Sequence, residues 1–163
     1  MAHTTLISEE AGYRLKQAQT ADGDPVELKV AILSAPSAEL AREVLAETDY
    51  AHRLTGAIMN VQGGAVTRNL YSLSEVAGFM SAPKEAFNYF EGPGGAINYV
   101  NLTLLTSWLE ETIRDAELAS AVRDILAQDE VYTRALPFVK ELLQERIDAC
   151  QQALQDTEEE ADT

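Results

Sequence analysis

The chain is poor in the residues from which most active sites are built: two histidines, one cysteine and one tryptophan among 163 residues. The lone Cys150 excludes an internal disulfide and a cysteine-rich metal cage, and it fits a reducing compartment. Basic residues are scarce as well, with 12 Lys and Arg against 27 Asp and Glu, a formal net charge of −15. So few cations cannot form the contiguous basic face that a phosphate backbone requires, and duplex nucleic acid is not an expected partner. No window reaches the roughly 18 apolar residues of a membrane span. The most apolar stretch, Ala96 to Leu109, is interrupted by Asn98, Asn101 and Ser107, so no membrane partner is expected either. The opening residues, MAHTTLISEEAGYRLK, have no basic n-region and no apolar h-region, which makes a cytoplasmic location the expectation.

What is present suits a folded domain. The composition, 46% hydrophobic and 24% charged, lies in the globular range, and the length fits one domain. Residues 156–163, DTEEEADT, hold five acids and no large apolar group and read as a disordered acidic tail, leaving 1–155 as a single domain with residues 1–7 frayed. Without the tail the body still carries −15 + 5 = −10, so the acidity belongs to the folded surface.

Apolar residues recur mainly at three- and four-residue steps, and the expected fold is all-α, a compact multi-helix array. Ser8 can cap a helix near 9–19. Residues 24–33 are ambiguous. Val26, Leu28, Val30 and Ile32 alternate as in a strand that would pair with Tyr13 onward in a hairpin over 13–33, yet Asp24-Pro25-Val26-Glu27 is a capping box with proline at the first helical position. Helix is preferred, because no other strand is evident and a lone hairpin is marginal. Ser37 caps a long helix to about Gln62 through Leu40, Val44, Leu45, Ala51, Thr55, Ile58 and Met59. Further helices are expected at 65–80, over a short aromatic segment from Ala86 to Phe90, from Ile97 to Ile113, from Leu118 to Leu126, and from Val131 to Leu154 with a kink at Pro137.

Few residues suggest chemistry. Asp49 and His52 stand at i, i+3, a spacing seen in carboxylate-histidine metal sites, but such a site needs a second pair and the other histidine, His3, lies in the frayed end. His52 also falls seven residues from both Leu45 and Met59, which places it on the apolar stripe as a hydrogen-bonded structural residue. Glu39, Glu43 and Glu47 repeat at i+4, so this face is either solvated or a docking face for a basic protein. Gly92-Pro93-Gly94-Gly95 leads toward Asn98, Tyr99 and Asn101, a loop that could hold an anion but that matches no phosphate motif, and no cofactor is implied. Arg68 and Asn69 sit in an otherwise apolar segment, and Cys150 lies on the last helix as a buried, inert thiol.

The expectation is a non-enzymatic protein that works through protein–protein contacts, as a homodimer built on two long amphipathic helices. The alternative is a small-molecule-binding protein or enzyme with an interhelical pocket drawing on Tyr50, His52, Arg68, Asn69, Gly94, Gly95, Asn98 and Tyr99. A third is an acidic mimic of nucleic acid.

Overall fold

The computed structural model describes residues 4–19, 24–60, 64–80 and 96–161. The chain is not all-α: the described residues form two three-stranded antiparallel sheets and five α-helices. In the first sheet β1 (Thr5–Glu10), β2 (Tyr13–Gln19) and β3 (Pro25–Ala31) lie in sequence order. Gly12, at φ 86, makes the β1–β2 turn in a conformation that glycine adopts without steric cost. Thus 9–19 is not a helix, and of the two readings of 13–33 the hairpin is found, with Tyr13 opposite Ala31 and Gln19 opposite Pro25. The alternating Val26, Leu28 and Val30 are buried, so burial of one strand face outweighs the capping signal at Asp24. β1 completes a third strand, which removes the objection that a hairpin alone is marginal.

The expected long helix over 37–62 is a helix, a turn and a strand. Ser37 does cap α1 (Ala38–Leu45), accepting from the Leu40 amide at 3.1 Å, but Ala46 leaves the helix in an extended conformation. A 3₁₀ turn, Tyr50–His52, then leads into β4 (Leu54–Asn60). The expected helix over 65–80 divides into β5 (Ala65–Leu70) and α2 (Leu73–Phe79), and β6 (Ala96–Tyr99) completes a second sheet in the order β5-β4-β6. β4 buries Leu54 and Gly56, two residues apart. A Cβ on Gly56 would stand 2.5 Å from Cε1 of Phe79, so this residue is glycine because α2 presses against the sheet there. The aromatic segment 86–90 and the Gly92–Gly95 loop lie outside the described residues.

The expected helix from Ile97 to Ile113 begins instead as strand β6, and helix starts only after Asn101; the helices beyond it follow the expected order. Asn101 caps α3 (Leu102–Trp108), which runs into a π-helical turn, Leu109–Ile113, ended by Arg114 at φ 66. α4 (Ala116–Gln128) and α5 (Tyr132–Ala161) complete the chain. α5 contains Pro137 and continues as helix through the acidic residues Asp156–Glu160. α1, α2 and α4 all pack on α5, and the core they share includes Val44, Leu73, Leu118, Ile125, Phe138, Val139 and Leu143.

A charged pair, Arg146 and Asp115, is buried against this core. Arg146 of α5, with its side chain 2% exposed, donates from Nε to Asp115 Oδ2 at 2.7 Å and from Nη2 to Oδ1 at 3.2 Å, while Nη1 donates to the Ser34 carbonyl at 2.8 Å. Asp115 also caps α4 through the Leu118 amide. Burial pulls the guanidinium pKa down, but the hydrogen bonds and charge of Asp115 outweigh it and raise the pKa. The pair therefore ties the loop after β3 to both α4 and α5. Cys150, one turn further on, is buried as expected, and burial pushes its thiol pKa up. Among the described residues no helix is long and apolar enough to cross a membrane.

Candidate functional site: an acidic cleft

A cleft of about 380 Å³ opens between the end of α1 with its following loop and the π-helical turn. Glu43, Glu47, Thr48, Asp49 and His52 line one side, and Glu111, Thr112, Ile113 and Arg114 the other. Each wall is fixed by local bonds. Asp49 Oδ1 accepts from the His52 amide at 3.0 Å and stands 2.5 Å from His52 Nδ1, which closes the 3₁₀ turn. Trp108 Nε1 donates to the His52 carbonyl at 2.7 Å, and the Thr48 amide donates to the Tyr71 carbonyl at 2.6 Å, so the loop is held to α3 and to the residue after β5. Opposite, the wider π turn re-aims Glu111 and Thr112 before Arg114 reverses the chain in a left-handed conformation.

The electrostatics are one-sided. Four carboxylates, Glu43, Glu47, Asp49 and Glu111, face one permanent cation, Arg114, giving −4 + 1 = −3 with His52 neutral. Among the described residues Glu43, Glu47, Glu111 and Arg114 make no ion pair, whereas the hydrogen bond from His52, opposed by a smaller desolvation, lowers the Asp49 pKa. The Thr48 hydroxyl oxygen is buried and has no hydrogen-bond partner among the described residues.

The residues singled out in the sequence separate into different places. Asp49 and His52 do meet, but His52 is not on an apolar helical stripe: its side chain is 63% exposed on a 3₁₀ turn, because the helix that would have carried it ends at Leu45. No group of three or more metal-ligating side chains occurs among the described residues. Tyr50 lies under the Arg53 guanidinium, 3.8 Å from its ring centroid, and Arg53 Nε donates to Asn69 Oδ1 at 3.1 Å. Arg68 is exposed on β5. Tyr99 lines a second cleft of about 510 Å³ that shares no residue with the first. There its ring stands 4.8 Å from that of Tyr132, whose hydroxyl donates to the Asn98 carbonyl at 3.0 Å and whose pKa burial pushes up to about 12. Gly94 and Gly95 lie outside the described residues.

No family model, curated protein or solved structure matches this chain. Carboxylates are the most numerous charged groups of the cleft, four against the one permanent cation of Arg114. His52 makes no hydrogen bond to a hydroxyl or thiol among the described residues. Spacing in the sequence singles out Glu43, Glu47, Asp49 and His52, together with Glu39, which does not line the cleft. It missed Glu111, Thr112 and Arg114, which reach the cleft only because the π turn and the left-handed residue bring them there. It also missed the Arg146–Asp115 pair, although a lone arginine flanked by the apolar Leu143, Ile147 and Cys150 was a signal for one.

Proposed function

We propose that this chain is a non-catalytic protein-binding module whose acidic cleft receives a basic side chain of a protein partner. The observation that carries the reading is the convergence of Glu43, Glu47 and Glu111, none of them ion-paired among the described residues, on one concave surface beside the Asp49–His52 pair. Like charges held together raise the free energy of the empty cleft, and an incoming guanidinium relieves that repulsion while taking two carboxylate oxygens at once. Arginine is favoured over lysine for its bidentate geometry. The overall charge of −15 steers basic partners toward the surface and repels anionic ones.

Fluorescence anisotropy with a labelled peptide carrying one arginine in a neutral background tests the reading. Glu43→Gln/Glu47→Gln should weaken binding at least tenfold, while Glu158→Gln/Glu159→Gln, which removes the same charge from the end of α5, should change it less than twofold. Equal losses from the two double variants would mean that net charge, not the cleft, does the binding.

A further inference from the structure

A chain this acidic repels copies of itself, yet its acids are unevenly spread. Residues 50–74 contain no Asp or Glu, although 27 occur in the whole chain, and β6 contains none either. That acid-free region is the second sheet: β4, β5 and β6 carry no carboxylate. β5 is an edge strand of this sheet, Ala65 through Arg68 are all exposed, and Val66 is 61% exposed. Its pairing with β4 runs without a register shift from Leu54–Leu70 to Met59–Ala65, so the strand is regular as well as exposed. The edge strand β1 is built differently. Its register shifts between Leu6 and Ser8, and Glu9 and Glu10 close one end, the two devices that natural edges use against pairing.

We infer that a second copy of the chain docks on the edge of β5 that no other described strand covers, antiparallel and two-fold, with Val66 facing Val66 of the second copy. The two sheets then become one of six strands, in the order β6-β4-β5-β5-β4-β6. In this register Ala65 lies opposite Thr67, and the two Arg68 side chains fall at opposite ends of the contact, so neither copy presents like charge to the other. Val66 is the centre of the exposed run 64–68, and a valine pair on the axis covers an apolar side chain that otherwise faces water. The dimer expected from long helices therefore has a different seat, one that uses no residue of the acidic cleft.

Sedimentation equilibrium on the full chain tests this, with Val66→Lys, Val66→Glu and an equimolar mixture of the two. The wild type should be dimeric at high micromolar concentration, and more so as salt rises and screens the repulsion between the acidic bodies. Each variant alone should dissociate at least tenfold more readily, because like charges meet on the axis. Mixing them should restore the dimer, since ammonium and carboxylate then face each other. Ile7→Lys on β1 should leave the dimer unchanged, and β5 amides of the wild type should exchange more slowly with deuterium as concentration rises. A 17.8 kDa monomer at every loading, a dimer that survives both Val66 variants, a mixture no tighter than its components, loss of the dimer in Ile7→Lys, or concentration-independent exchange would each overturn the inference.

Discussion

Removing one partner of the Arg146–Asp115 pair should unfold much of the chain's stability margin. The two side chains are 2% and 1% exposed, so Arg146→Met strands a carboxylate that water cannot reach. Breaking a buried pair in this way costs about 3–5 kcal/mol, against a total of about 5–15 kcal/mol for a domain. Asp115→Ala leaves the guanidinium with only the Ser34 carbonyl and the more distant Glu117, and it also removes the cap of α4, adding about 1 kcal/mol. With a urea m-value near 2 kcal/mol/M, Arg146→Met should lower the urea midpoint by roughly 1.5–2.5 M and Asp115→Ala by roughly 2–3 M. Arg146→Met/Asp115→Asn removes both charges and keeps a capping side chain, so it should be more stable than Arg146→Met alone. A midpoint shift below about 0.5 M for Arg146→Met, or a double variant as unstable as the sum of the two, would refute a dry, mutually dependent pair.

Three further outcomes follow from the packing. Gly56→Ala should destabilise by about 1–3 kcal/mol, since its Cβ would meet Phe79 at 2.5 Å, and Gly56→Ala/Phe79→Leu should recover part of the loss; urea titrations that show no difference from wild type would contradict the close approach. Tyr132, with its pKa pushed up to about 12, stabilises the fold fully below the unfolded value near 10, and that contribution is lost as pH rises through about 12. Ultraviolet titration should therefore show a tyrosine step near pH 12, and Tyr132→Phe should remove it. Cys150 should react slowly with a thiol reagent in the native protein and promptly in urea, because it is fully buried; equal rates would show the thiol open to solvent.

The parts of this fold that were legible are those where local and tertiary signals agree. Ser37 is an N-cap, and Leu118, Val122 and Ile125 line one face of α4, because helical spacing and burial coincide there. The stripe from Leu40 to Met59 failed because residues from a helix, a 3₁₀ turn and a strand imitate one continuous helical period. β4 announces itself through two buried positions, and one of them, Gly56, has no side chain to register as apolar. The hairpin over 13–33 looks marginal in the sequence because its third strand, β1, carries no alternating buried face: all six of its residues are exposed. At the site, the i, i+3 spacing of Asp49 and His52 brings them together on a tighter turn just as it would on an α-helix. Glu111 and Arg114, sixty residues on, could not be assigned to the same cleft without the path of the chain.

The central claim, that the cleft at the end of α1 binds a basic side chain, is tested most directly by chemical-shift mapping with arginine amide on the ¹⁵N-labelled chain. The account expects saturable shifts concentrated at Glu47, Thr48, His52, Thr112 and Arg114, weaker with lysine amide, and absent in Glu43→Gln/Glu47→Gln. Shifts spread evenly over the acidic surface, including Glu158–Glu160 of α5, or unchanged in that variant, would contradict it.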